Sequence, residues 1–242
     1  MSLFHGPSSI SNGLVLYLDA GNPKSYPGSG STWRDLTGSG LSATLTGSPT
    51  YSANNAGYIV LNGSSQYATI AVNSFIRTLS TAYTFSSFFY YGANSGGSPY
   101  ILMTSPNASD NGDGFWQHFN LLGGNWLWRT EDTSAGELGG TVAASPWSAG
   151  QWYQLATVVK TNQILFYING TLRYTISTTF AWANLTGSET ANIYLGIGYL
   201  GSGATPSYYF NGYLSTFSLY SRELASTEIL QNYEALRTRF LL

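Results

Sequence analysis

The segment Trp152-Tyr-Gln-Leu-Ala-Thr-Val-Val-Lys-Thr-Asn-Gln-Ile-Leu-Phe-Tyr-Ile-Asn-Gly-Thr-Leu-Arg-Tyr174 reads as three short strands joined by two tight turns. Asn169-Gly170 lies between two strand-like runs, and a two-residue Asn-Gly loop suits a type I′ turn, which needs positive φ at both central residues. That turn fixes the register. Ile164, Phe166 and Ile168 then point to one face and Leu165 and Tyr167 to the other, so both faces carry apolar side chains and the strand is expected to be internal.

Outward from this centre, the same signals recur. Residues 58–72 hold two short strands around Asn62-Gly63, and residues 82–91 alternate so that Tyr83, Phe85, Phe89 and Tyr91 share a face. Residues 114–122 and 125–129 flank Gly123-Gly124 as a hairpin, 192–198 and 208–220 supply late strands, and 14–18 is an apolar run before the turn cluster Asp19-Ala-Gly-Asn-Pro-Lys24. Twelve or thirteen strands are expected, enough to split into two packed antiparallel sheets. Trp33 and Leu36 are read as pins for the long loop 22–40. Only residues 226–240 are helical in pattern, with Ile229, Leu230, Tyr233, Leu236 and Phe240 at helical spacing, Glu228 in the first turn and Arg237 and Arg239 in the last. This helix is expected to cap one end of the sandwich. Residues 1–13 read as an extended arm that finds partners on its own domain or on a neighbour, ahead of a single domain over 14–242.

Composition narrows the function. Charged residues make up only 8% of the chain, against roughly 25% in ordinary globular proteins, while 16% are aromatic. A polar but nearly uncharged surface suits a protein fixed in an assembly or exposed outside cells. The net charge of −2 and the lack of a basic cluster argue against nucleic acid, and no segment approaches the ~20 apolar residues of a membrane span. There is no cysteine, so disulfides and thiolate chemistry are excluded.

Several of these segments carry a family pattern: Gly13-Leu-Val-Leu-Tyr-Leu-Asp19, Tyr58-Ile-Val-Leu-Asn-Gly63 followed by Gln66-Tyr67, the 152–170 hairpin, and Phe210-Asn-Gly-Tyr-Leu214 leading to Leu219-Tyr-Ser-Arg-Glu-Leu224 and Glu228-Ile229. Together they resemble the laminin G-like (LamG) domains of the concanavalin A-like jelly-roll superfamily, over roughly residues 13–240. The resemblance implies an all-β jelly-roll sandwich of two antiparallel sheets with a short C-terminal helix. Such domains commonly carry Asp-Gly where Asn169-Gly170 stands, and Ser or Thr where Ala225 stands. Residues 14–36, with Gly38 and Gly40 beyond and Gly6-Pro7-Ser-Ser-Ile10 ahead, resemble LamG-type domains in virion proteins of tailed bacteriophages. That implies a structural protein on the head or tail of a phage particle, in contact with capsid or tail subunits and assembled as a homo-oligomer. The arm 1–13 is the expected docking element.

Chemistry-bearing clusters are few. Glycoside hydrolysis needs two carboxylates about 5–10 Å apart. Glu131-Asp132, with Glu137 beyond, is a poor pair because adjacent strand residues face opposite ways, so no enzyme is expected. His5 and His118 are the two histidines, too few for a triad or zinc site. Calcium asks only for oxygen ligands, and Asp110-Asn111-Gly-Asp113-Gly114 offers two carboxylates and an amide on one loop, which is also the composition of a plain turn. Asp19 with Asn22 is a weaker candidate. Sugar binding needs aromatic faces beside polar groups. Trp116, Trp126 and Trp128, near His118, Asn120, Asn125 and Arg129, are one candidate set; Trp182, Tyr199, Tyr208 and Tyr209 are another. Alternate tryptophans such as 126 and 128 equally fit a core or a subunit interface. The reading is a non-enzymatic virion protein, a capsid decoration or tail appendage, with a host-surface glycan-binding module as the alternative.

Overall fold

A computed structural model describes residues 7–71, 73–79, 82–92, 100–104, 114–120, 125–132, 136–142, 146–177, 192–197 and 209–242; for the strands between 100 and 142 it is the backbone course that is described. Among these residues sixteen strands, numbered in chain order, form two antiparallel sheets. Sheet A holds β1 (Leu14–Asp19), β4 (Thr50–Ser52), β5 (Tyr58–Asn62), β7 (Tyr83–Tyr91), β12 (Gln151–Lys160), β13 (Gln163–Ile168), β14 (Thr171–Ser177) and β16 (Asn211–Tyr220). Its order is β14-β13-β12-β7-β16-β5-β4, with β1 also on β16. Sheet B holds β2 (Thr32–Trp33), β3 (Ala43–Thr46), β6 (Tyr67–Ile70), β8 (Tyr100–Thr104), β9 (Gly114–Asn120), β10 (Asn125–Asp132), β11 (Gly136–Val142) and β15 (Ile193–Leu195), in the order β11-β10-β9-β8-β15-β6-β3-β2. The strands exceed the expected number partly because β2 and β4, two and three residues long, are too short to show alternation.

The central hairpins are as their turn chemistry demands. Asn169 and Gly170 both have positive φ, +50° and +74°, and the Asn169 side chain accepts the Gln154 N–H at 2.8 Å. Ile164, Phe166 and Ile168 are buried between the sheets, and β13 is internal between β12 and β14. Tyr83, Phe85, Phe89 and Tyr91 join the same core. The two strands around Asn62-Gly63 do not pair with each other: β5 belongs to sheet A and β6 to sheet B, so this turn carries the chain between sheets.

Sheet A is covered on its outer face as well. Besides a single helical turn, α1 (Ser74–Arg77), after β6, the C-terminal segment forms α2 (Ser226–Leu236) and a 3-10 turn (Arg237–Phe240). It lies on that face, not over an end of the sandwich as the sequence suggested. The reason is the apolar outer face of β12, β13 and β16: Ile229 and Leu224 pack on Ala156, Val158, Tyr167 and Tyr220, while Phe240 packs on Phe88 and Trp152. Leu230 falls outside the buried stripe and is 45% exposed. Thr84 on β7 sets the approach, its hydroxyl donating to the Arg222 carbonyl at 2.9 Å and accepting the Leu224 N–H at 3.0 Å. Beyond α2, Tyr213 stacks between Tyr58 and Tyr90, with ring centroids 4.5 and 4.6 Å apart.

Residues 8–13 of the arm are bonded within the domain. Gln231 donates to the Ser8 carbonyl (2.8 Å), Asn232 accepts the Ile10 N–H (2.7 Å), Tyr220 donates to the Ile10 carbonyl (3.0 Å) and Arg222 donates to the Asn12 carbonyl (3.0 Å). An extended backbone must place its polar groups somewhere, and here α2, β16 and the turn between them supply the partners. No helix among the described residues is long and apolar enough to cross a membrane.

Ala225 stands at the N-cap of α2, where it has no side-chain oxygen to offer. Glu228 compensates: its carboxylate accepts the Ala225 N–H at 2.9 Å and takes two bonds from Arg222 at 2.6 and 2.8 Å. The hydrogen-bonded Arg222 guanidinium holds the Glu228 carboxyl down to about 2, from an ordinary 4.5. Because the folded value lies below the unfolded one, this contribution to stability is complete above about pH 4.5 and is lost as pH falls toward about 2. Glu228→Gln is therefore expected to flatten the decline in melting temperature across that window; an unchanged slope in a pH series of thermal melts would show that the pair contributes nothing.

Candidate functional site

Sheet B differs from sheet A in what lies on its outer side. In β6 and β15, Ala68, Ile70, Ile193 and Leu195 face the core, which leaves Tyr67, Thr69 and Tyr194 on the outer face, each partly exposed. Tyr67 lies 6.4 Å from Tyr194 and 6.3 Å from Tyr209, ring centroid to ring centroid. Tyr209 is brought there by its neighbour: Phe210 is fully buried and donates its N–H to the Gly196 carbonyl at 2.9 Å, tying the segment ahead of β16 to the end of β15. Gly196 has φ +85°, and a Cβ there would come within 2.5 Å of Leu61, so this junction is closed to larger residues. Partial burial, and then the nearby Tyr67, push the Tyr209 hydroxyl up from its ordinary value. The Tyr209 hydroxyl is therefore neutral and able to donate at physiological pH.

Backbone register extends the platform across the sheet. Tyr194 is paired with Thr69 on one side and Met103 on the other; Met103 pairs with Trp116, Trp116 with Arg129, and Arg129 with Gly139. Directly paired residues share a face, so positions 116 and 129 belong to the row of Tyr194. Leu195, in the core, leads instead through Leu102 and Gln117 to Trp128. The register thus separates the tryptophans grouped in the sequence: positions 126 and 128 share the alternation of Leu195, and positions 116, 118, 120, 125 and 129 share that of Tyr194. Tyr209 is the one member of the second set that is described. Trp182, Tyr199 and Tyr208 lie outside the described residues, as do Asp110, Asn111 and Asp113. Tyr67 and Tyr194 were not singled out in the sequence, although the alternation Tyr67-Ala-Thr-Ile70 already placed an aromatic ring on the non-core face.

Residues 62–230 match the laminin G-like model of the concanavalin A-like lectin/glucanases superfamily. The chain belongs to that superfamily. No curated protein sequence matches it. Among solved structures it is similar to the receptor-binding domain of botulinum neurotoxin C/D mosaic serotype, with a TM-score of 0.68 and 15% identity over 92% of this chain and 51% of that one. It is also similar to domain 4 of AbnA, a GH43 extracellular arabinanase from Geobacillus stearothermophilus solved in complex with arabinotriose, with a TM-score of 0.66 and 18% identity over 91% of this chain and 98% of that one. A third is the binding domain of botulinum neurotoxin DC in complex with SialylT, with a TM-score of 0.65 and 14% identity over 93% of this chain and 52% of that one. The chain thus spans about half the length of the neurotoxin domains it matches.

In a superfamily that includes glucanases the acidic residues need separate attention. Glu131 on β10 stands directly opposite Glu137 on β11, so the register brings two carboxylates to one face, which the adjacency of Glu131 and Asp132 had concealed. Glu131 is three strand spacings, about 15 Å, and Glu137 four, about 19 Å, from the β15 tyrosine row. Asp19 is committed elsewhere: its two oxygens take Arg239 at 2.9 and 3.0 Å, which leaves the Asp19 and Asn22 calcium candidate without a free carboxylate. Among the described residues no three acidic or histidine side chains gather as a metal site.

The face assignment has a direct check. Trp126→Ala and Trp128→Ala, on the alternation of the core residue Leu195, are expected to cost about 3–5 kcal/mol in denaturant titrations, and Trp116→Ala, on that of Tyr194, to stay within about 0.5 kcal/mol of the parent. Equal losses at positions 116 and 126 would refute the register.

Proposed function

We propose that the chain is a non-enzymatic glycan-binding module carried on the surface of a bacteriophage particle, and that the outer face of sheet B holds the glycan. The observation that carries this reading is the convergence of Tyr67, Tyr194 and Tyr209, from three separate segments, on the open side of a sheet whose other side is core. Partly exposed rings offer apolar faces to the C–H edges of a pyranose, and the phenol hydroxyls offer hydrogen bonds to its hydroxyls. The complexes of related folds with arabinotriose and SialylT support the same ligand class. Placement on a virion is supported by the resemblance of residues 14–36 and by the low charge, which suits a protein fixed in an assembly. Docking on capsid or tail subunits would begin from an arm whose residues 8–13 already bond their own domain, with Pro7, Ser8, Ser9, Ser11 and Asn12 exposed. A homo-oligomer is part of the same reading.

Stacking contributes about 0.5–1.5 kcal/mol per ring beyond burial. Tyr67→Ala and Tyr194→Ala are each expected to weaken retention on arrayed host surface polysaccharide by up to about tenfold, at unchanged melting temperature. Undiminished retention in the double variant would rule out the platform. Incubating the purified chain with the same polysaccharides should release no new reducing ends; release that Glu131→Gln abolishes would overturn the non-enzymatic part. Density for the chain in a cryo-EM map of the particle tests its placement on head or tail.

A further inference from the structure

A second concavity lies at the flank of the sandwich, between the loop that follows β1 and the turn that carries the chain from β3 to β4. Its volume is about 470 Å³, within the range of about 300–1,000 Å³ usual for small-molecule sites. Tyr26 and Tyr51 line it, with Leu45 at its base and Ser29, Ser31, Ser48 and Thr50 around it.

The walls are held in place by contacts of their own. Tyr26 is only 3% exposed, and its hydroxyl donates to the Gly30 carbonyl at 2.9 Å. Its ring lies 5.6 Å from that of Tyr51, tilted by 57°. The Leu45 N–H donates to the Ser31 carbonyl at 2.7 Å. Gln66 donates to the carbonyls of both Gly47 and Ser48, each at 3.1 Å, which fixes that turn from behind. The loop turns through Gly28 and Gly30, both near φ +90°.

The lining decides the ligand. It contains no charged residue, so a phosphate, carboxylate or ammonium group would be desolvated without a partner, at a cost of several kcal/mol in the general case. It does contain the half-buried Tyr51 ring and four aliphatic hydroxyls that make no hydrogen bond among the described residues. An uncharged, hydroxyl-bearing ring is the ligand that such walls satisfy. We propose that this cleft is a second binding site, for a neutral sugar. It is separate from the tyrosine platform: Thr46 pairs with Tyr67 on the platform side, and Ser48, two residues on, turns into the cleft. The site does not depend on the platform reading.

The test is an amide-resolved NMR titration of the full chain with arabinotriose, maltotriose, cellotriose and mannotriose at millimolar concentration, with sialyllactose as the charged comparison. At least one neutral trisaccharide should shift the amides of Ser29, Gly30, Ser31, Ser48 and Thr50. Tyr51→Ala should abolish those shifts, and Tyr194→Ala should leave them intact. Ser31→Trp, at an exposed position, fills the cleft and gives the decisive reading if Tyr51→Ala does not fold. No shift at these amides with any neutral trisaccharide, shifts with sialyllactose alone, or shifts that survive Ser31→Trp would each overturn the proposal. Loss of platform shifts in Tyr194→Ala, with cleft shifts retained, separates the fate of one site from that of the other.

Discussion

Sheet A depends on a single irregularity in its central strand. β16 runs against β7 along one edge, but its other edge is divided: Asn211 to Leu214 pair with β5, and Thr216 to Tyr220 pair with β1. The register shift between Leu214 and Thr216 allows this change of partner. At the break, the buried Ser215 hydroxyl donates to the Gly57 carbonyl at 2.7 Å, and its own carbonyl accepts the Ala20 N–H at 2.8 Å. Arg239 closes the same spot, pairing with Asp19 and donating to the Ala56 carbonyl at 3.0 Å. Backbone segments meet so closely here that a Cβ on Gly21 would overlap the Ala56 carbonyl. Such a polar junction, with the Arg239 Nε left unpartnered, carries a penalty of about 1–3 kcal/mol at that atom. Its role is to specify which strands meet, since a buried ion pair is weak as a source of net stability.

That junction determines which surfaces are left for a ligand. Because the C-terminal segment ends at Asp19, α2 must cross the outer face of sheet A, and the arm follows it. The aromatic residues there, from Phe88 to Trp152 and Phe240, are used in packing. Among the described residues no helix packs on the tyrosines of sheet B's outer face, and aromatic residues on the outer face of sheet A are instead used in packing. Aromatic content by itself therefore says little about binding; the side of the sheet decides.

The parts of this arrangement that were legible in the sequence are local ones. The Asn169-Gly170 turn demands two positive φ angles, and the alternation around it sets both faces of β13 without reference to the rest of the chain. The C-terminal helix was equally visible in its periodicity, but not its resting place, which depends on an apolar outer face assembled from β12, β13 and β16. The tryptophans show the same limit. Trp116, Trp126 and Trp128 are near each other in sequence, yet their faces follow from a register counted across four strands from Ile70 and Leu195. Tyr67, Tyr194 and Tyr209 lie too far apart in the chain for any local pattern to join them. The opposition of Glu131 and Glu137 likewise requires the pairing of β10 with β11, which adjacency in sequence does not reveal.

The arm and α2 share one side of the sandwich, and this gives the molecule a polarity. Residues 8–13 and the last turn both rest on the outer face of sheet A, while Tyr67, Tyr194 and Tyr209 lie beyond sheet B, across a core about 10 Å thick. A tether at either end of the described chain pulls from behind sheet A. Anything that holds the domain by those ends leaves the tyrosines pointing away from the anchor, so orientation toward an approaching surface is set by the fold before any contact is made.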